Sequence, residues 1–240
     1  MSTEQSGTAA VPHVLRGTAA VVFDTDGVII DSAWKAAFDA FPRLCGRRPF
    51  DVQGDYLRYV DGTSRLDGAA AFLRARELRP TDAEIQALAA HKERLFTERL
   101  RAQGVDAYPG TVRLLRVLRS AGILLAAASA SRHAGALLEH AGARGLFDVM
   151  VDGGEAARPG LPGKPDPALF LEATRRLGVP ADRAAVVEDA LAGVETGRRG
   201  GFRLVVGVDG AGTPATRAAL LKHGADLVVD DLAELLAQED

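Results

Sequence analysis

The sequence predicts an α/β protein, a doubly wound parallel sheet with an inserted α-helical cap, and three observations carry that prediction. Six short apolar runs alternate with longer amphipathic segments: AAVVF at 19–23, ILLAAA at 123–128, DVMVD at 148–152, AAVVE at 184–188, RLVVGV at 203–208 and DLVVD at 226–230. Each run is apolar at consecutive positions, the pattern of a strand covered by helices on both faces. About a hundred residues separate the first run from the second, whereas later runs recur roughly every 20 to 35 residues. An insertion after the first strand accounts for that break in rhythm.

Taken in order, residues 1–16 mix Ser, Thr, Gly, Gln and Pro without periodicity and read as a flexible tail. The core domain opens at 17–31 with the first strand, and the insertion at 32–105 reads as helices near 33–44, 65–76 and 81–103. The last of these starts at Thr81 with Asp82 and Glu84 in its first turn, an acidic start that suits a helix N-terminus. The core resumes over 106–240, with amphipathic segments near 111–121, 132–141, 166–177, 191–199, 213–222 and 231–237 between or after the strands. Ligands of open α/β sheets sit just outside the carboxyl ends of the strands, so a cap leaving from the end of the first strand overhangs the expected site.

Composition narrows the function. With 240 residues and 47% hydrophobic content the chain can bury a substantial core, as a globular enzyme does. A net charge of −3 gives no broad attraction for nucleic acid or anionic lipid, so neither is expected as a partner. The longest mostly apolar stretch, AGILLAAASA at 121–130, is shorter than the ~20 residues that span a bilayer, and the N-terminus lacks a signal-like apolar core. Cys45 is the single cysteine, which excludes an intramolecular disulfide and fits a cytoplasmic location. A monomer is the default for a capped domain of this size.

Four separated signals point to chemistry. Asp24 and Asp26 follow the first strand two positions apart, and carboxylates so close repel unless a cation lies between them. One can attack phosphorus and bind a divalent cation while the other moves a proton, although a capping or turn role is equally open for this pair alone. Ser129, Ala130 and Ser131 stand at a strand-to-helix junction, where a hydroxyl and backbone amides cradle an anion or Ser131 merely caps the next helix. Lys164 lies in the loop RPGLPGKPDP and is one of only four Lys against twenty-five Arg, so it is not compositional background. A compact ammonium suits a place that must neutralise phosphate and carboxylate together. Glu188 and Asp189 end the fourth run and form a second acidic pair of hard oxygen ligands suited to Mg²⁺.

In that order on successive strand ends, the motifs FDTDGV, SAS, GKP and VVEDALAG resemble those of the haloacid dehalogenase superfamily, and within it the β-phosphoglucomutase branch. The resemblance runs over about residues 18–236 and takes in YPGTVRLLRVL and GGFRLVVGVD. It implies Asp24 as the nucleophile that forms an aspartyl-phosphate, and Asp26 as the general acid/base whose carbonyl also meets Mg²⁺. It implies Asp189 as the metal's side-chain ligand with Glu188 in or beside the ligand set, and Ser129, Ala130 and Lys164 as the phosphoryl-binding groups. Asp26 argues against dehalogenation, because dehalogenating relatives lack that carboxylate. In the cap, YVDGTSRLDG at 59–68 resembles the mutases' substrate-reading loop, with Arg65 matching an Arg that grips the non-transferring phosphate.

Departures from the mutase pattern shape the expected outcome. Thr25 stands where an apolar residue is commoner, Ala190 where some mutases carry Ser, and Asp61 where mutases use a basic residue. The chain passes directly through Asp31-Ser32-Ala33-Trp34-Lys35, about five residues shorter than the mutase pattern and without its hinge His. None of the five His is a sequence replacement, although His133 lies close enough behind SAS to approach a ligand. The expectation is a Mg²⁺-dependent phosphatase of a small phosphosugar or polyol or cyclitol phosphate, working through Asp24. The alternatives are a mutase interconverting β-glucose 1-phosphate and glucose 6-phosphate, and a catalytically silent binding protein.

Overall fold

The structure, a computed structural model, describes residues 11–25, 28, 38, 40, 41, 48, 50, 55, 59, 60, 63, 65–103, 106–153, 162–210 and 212–237, with backbone only at 65 and 99–103. All six apolar runs form strands: β1 Ala20–Phe23, β2 Leu124–Ala128, β3 Val149–Val151, β4 Ala184–Glu188, β5 Leu204–Val208 and β6 Leu227–Val229. They make one parallel sheet in the order β3-β2-β1-β4-β5-β6. Every residue of β1 and β4 is buried, because helices cover both faces, and all of them are apolar except Glu188 at the carboxyl end of β4.

Eight α-helices are described: α1 Arg65–Ala75, α2 Asp82–Gln103, α3 Pro109–Ser120, α4 Ala134–His140, α5 Ala168–Leu177, α6 Leu191–Arg199, α7 Pro214–His223 and α8 Glu234–Ala237. Phe23, Leu114, Leu118, Leu125 and Leu137 belong to the cluster on one side of the sheet, and Val22, Phe170, Ala173, Val186 and Val194 to the cluster on the other. The two clusters follow from the alternation of side chains along each strand, Val22 pointing one way and Phe23 the other.

The inserted region has a third cluster of its own, in which Phe38, Phe50 and Phe72 pack with ring centroids 4.1 to 5.1 Å apart beside Val60, Leu73 and Leu88. Asp55 is buried there between Arg48 and Arg76, at 2.8 and 2.5 Å. Helix α2 spans two clusters: Ile85 and Leu88 pack in the insertion, while Phe96 belongs to the sheet's cluster. Its start is a reciprocal capping box, with the Thr81 N–H donating to Glu84 Oε2 at 2.8 Å and the Glu84 N–H to Thr81 Oγ1 at 3.3 Å.

Of the boundaries that differ from expectation, three have a visible cause. Residues 13–15, expected in the flexible tail, form a 3-10 turn that seats Leu15 in the core with no exposed surface, since Val11, Val14 and Leu15 supply an apolar edge within the polar stretch. Helix α3 begins at Pro109 rather than 111, because proline suits the first helical position. Helix α8 begins at Glu234 rather than 231, because Glu234 Oε1 takes the N–H groups of Asp230 and Asp231 in place of a helical turn. The expected helix at 33–44 lies outside the described residues apart from 38, 40 and 41. Among the described residues, no helix is long and apolar enough to cross a membrane.

Candidate active site

The strand order reverses between β1 and β4, and in a doubly wound sheet the crevice at that reversal is where ligands bind. Asp24 is the first residue past β1, and its N–H continues the ladder to the Val187 carbonyl at 3.0 Å. Glu188 ends the neighbouring β4 and Asp189 follows it. The register that pairs Phe23 with Val187 therefore brings three carboxylates to one point. One oxygen from each of Asp24, Glu188 and Asp189 lies within 4.8 Å of the others, with Asp24 and Glu188 buried and Asp189 partly so.

Lys164 enters from the loop before α5, and its ammonium donates to Asp24 Oδ1 at 2.8 Å and to Glu188 Oε1. It also lies 4.9 Å from the centroid of the buried Phe170 ring, whose face favours a cation. The second Glu188 oxygen takes the Ala190 N–H at 2.7 Å, at the entry to α6 where the helix end favours negative charge. Burial works against the Lys164 charge, but the adjoining Asp24 and Glu188 carboxylates outweigh it and hold the ammonium well above its ordinary pKa. Burial pushes Glu188 the other way, above the usual carboxylate range, with Lys164 opposing that rise and Asp24 adding to it. Three hard oxygen donors with surplus negative charge in a buried place are what a small divalent cation takes, so the residues present fit such an ion.

Beside this cluster, Ser129 follows β2, and its N–H reaches the Val151 carbonyl at 2.9 Å. Its hydroxyl oxygen accepts the Ser131 N–H at 3.1 Å, and the Ser131 hydroxyl accepts the His133 N–H at 3.3 Å. Ser131 is thus part of a turn, and the helix cap itself falls on His133 without a side-chain bond. Gly153 closes this loop from β3: a Cβ there would stand 2.0 Å from the Ala130 carbonyl oxygen, so only glycine lets the two backbones meet. The His133 ring pairs with Glu93 of α2 and lies 5.9 Å from the Phe96 ring, which ties the inserted helix to the loop. A Cβ on Gly163, beside Lys164, would lie 3.7 Å from Asp67 Oδ2 of α1, so the insertion borders the Lys164 loop as well.

Of the residues singled out from sequence, the structure brings Asp24, Lys164, Glu188 and Asp189 together and sets the loop of Ser129 and Ala130 at the end of β2, next to β1. Asp26 and the 31–35 hinge lie outside the described residues, as does the side chain of Arg65, whose backbone opens α1. Sequence reasoning missed Phe170, Gly153, Gly193 and the Glu93 to His133 pair. The glycines stood in view, in VDGG and DALAG, but their neighbours come from distant parts of the chain.

A doubly wound sheet with an acidic cluster and a buried lysine at its reversal, and with a helical insertion after the first strand, defines a class of phosphoryl-transfer enzymes. The chain belongs to the haloacid dehalogenase-like hydrolase family, whose model matches residues 18–201. It is 39% identical over 238 residues to the β-phosphoglucomutase of Mycobacterium bovis, covering 90% of this chain and 91% of that one. It is 30% identical to a phosphorylated carbohydrates phosphatase of Thermotoga maritima, covering 79% and 84%. Its fold matches the crystal structure of a β-phosphoglucomutase from Clostridium difficile with a TM-score of 0.72 and 26% identity, covering 91% and 93%. The chain is an enzyme of this class, whose members generally use a divalent metal.

Proposed function

We propose that the protein is a Mg²⁺-dependent phosphatase of a small phosphosugar or a polyol or cyclitol phosphate, with Asp24 as the phosphoryl acceptor. The observation that carries the reading is the Lys164 ammonium bridging Asp24 and Glu188 where β1 and β4 end. A carboxylate held that way stays aimed, which is what attack on phosphorus requires. Asp24, Glu188 and Asp189, with the backbone carbonyl of Asp26, would hold Mg²⁺. When bound, that ion supplies positive charge against the phosphoryl oxygens.

In the first half-reaction an Asp24 carboxylate oxygen forms a bond to phosphorus, the bond from phosphorus to the sugar oxygen breaks, and Asp26 gives that oxygen its proton. The Ser129 hydroxyl and the Ala130 amide hold phosphoryl oxygens, and Lys164 offsets their charge beside Asp24. In the second, Asp26 takes a proton from water as the water oxygen attacks the aspartyl-phosphate and releases phosphate and free Asp24. Residues 32–105 serve as the cap, with Arg65 as a guanidinium contact to the substrate's distal polar groups. The separate aromatic cluster of the insertion and its pairing through Glu93 to the loop after β2 support a cap that borders the site. The reading includes a cytoplasmic location, supported by the single cysteine, no nucleic-acid or lipid partners, supported by the weak net charge, and a monomer as the default for a capped domain of this size.

A second reading replaces water by a sugar hydroxyl, giving a β-phosphoglucomutase, and the 39% identity to the M. bovis enzyme favours it. Against it stand the shortened passage from Asp31 to Lys35 without a His, and Asp61 in the cap loop. Incubation with Mg²⁺ and β-glucose 1-phosphate, with and without glucose 1,6-bisphosphate, separates the two. Release of free phosphate supports the phosphatase, and glucose 6-phosphate formed without phosphate release overturns it in favour of the mutase. If neither product appears, a panel of other phosphosugars and cyclitol phosphates decides whether the enzyme releases phosphate at all.

A further inference from the structure

We propose that Gly193 is a positioning residue: the missing side chain at the third position of α6 is the space in which the Glu188 carboxylate sits. A Cβ built on Gly193 would lie 1.7 Å from Glu188 Oε1, 2.0 Å from its Cδ and 2.6 Å from its Oε2. The Glu188 side chain has no exposed surface, and both of its oxygens are engaged, Oε1 by Lys164 and Oε2 by the Ala190 N–H at 2.7 Å. A methyl group at 193 therefore has to displace a carboxylate fixed at both oxygens. Any displacement loosens Lys164, which is itself the link to Asp24 Oδ1 at 2.8 Å.

Nothing else in the backbone calls for glycine at this position. Gly193 is not among the glycines with positive φ, and inside a helix alanine is the better residue. Helix α6 has little freedom to retreat, because Val194 and Thr196 on either side of the next turn are fully buried. Helix stability is given up at 193, and the Glu188 carboxylate is what occupies the room. The inference rests on reading Asp24, Lys164 and Glu188 as the working groups of the site.

The test is a double-mutant cycle of Gly193→Ala with Glu188→Ala, read by urea unfolding of the metal-free protein and by Mg²⁺-dependent binding of fluoroberyllate. In the wild-type background, Gly193→Ala lowers the unfolding midpoint. In the Glu188→Ala background the same change leaves the midpoint alone or raises it, as helix propensity dictates. Fluoroberyllate binds Gly193→Ala about 100-fold more weakly than wild type, the scale of a misplacement of about 1 Å. A raised midpoint in the wild-type background, an equal fall in both backgrounds, or unchanged fluoroberyllate binding overturns the proposal. If Gly193→Ala does not fold alone, recovery of folded protein on adding Glu188→Ala supports the proposal and failure to recover refutes it. The unfolding arm uses no substrate, so a protein inactive on every phosphosugar would refute the proposed function and leave this arm to be judged separately.

Discussion

Replacing Lys164 by Met removes the only described cation between Asp24 and Glu188 and keeps a chain of similar length in the same space. The side chains involved are 1% exposed for Lys164, 5% for Asp24 and none for Glu188. Removing one partner of a buried pair costs about 3–5 kcal/mol, because the remaining charge stays buried without compensation. In a chain of this size each kcal/mol moves the melting temperature by about 2–4 °C, so the metal-free variant should melt roughly 6–20 °C lower.

The loss depends on pH, and its sign follows from Glu188. That carboxyl already titrates above the ordinary range through burial, with Lys164 as the main opposing influence, so removing Lys164 raises it further. Above the unfolded carboxyl pKa of about 4.3, the folded state then holds a proton that the unfolded state has released, so stability falls as pH rises. Thermal unfolding of wild type and Lys164→Met in chelator at about pH 5 and about pH 8 measures both effects. A gap wider at pH 8 than at pH 5 is expected. A gap below about 2 °C at both pH values, or one wider at pH 5, would show that the ammonium does not hold these carboxylates.

Three further variants test other parts of the fold. Asp55 is 4% exposed between Arg76, itself 12% exposed, and the open Arg48, so Asp55→Ala should cost about 3 kcal/mol, the low end for a broken buried pair, as read by urea unfolding. Arg94 and Glu98, both more than 60% exposed, make the matching control, where Arg94→Ala should change stability by less than about 0.5 kcal/mol. The Thr25 hydroxyl is fully buried and makes no hydrogen bond among the described residues, so Thr25→Val should stabilise the protein by about 1 kcal/mol in the same assay. Turnover should stay within about twofold of wild type, since the change keeps the shape of the side chain.

The sheet was legible because its central strands are buried on both faces and so write unbroken apolar runs into the sequence, as AAVV at 184–187 does. Helix α2 was placed within a residue because Thr81 and Glu84 form the capping box that their spacing announces. Asp24, Glu188 and Asp189 were legible as acids where apolar runs stop. Their meeting follows from β1 and β4 being neighbours, a fact of topology that alternation alone does not fix. Glu188 shows the limit: resemblance implied a place in or beside the metal's ligands, and the structure, which sets it within the acidic cluster, adds a fully buried pairing with Lys164 that the sequence did not announce. That pairing joins positions 24 residues apart, and Lys164 sits on a loop with no periodic signal. Phe170 looked like an ordinary core residue of an amphipathic helix, and its face toward Lys164 depends on how α5 rotates against the sheet.

The central claim is that Asp24 receives the phosphoryl group. Its most direct test is to quench the enzyme during turnover of a radiolabelled phosphosugar with Mg²⁺ and to locate the label by peptide mapping. Label on Asp24 that is stable to acid, labile to hydroxylamine and absent from Asp24→Asn is the expected result. Label on another residue, or undiminished turnover by Asp24→Asn, would contradict it.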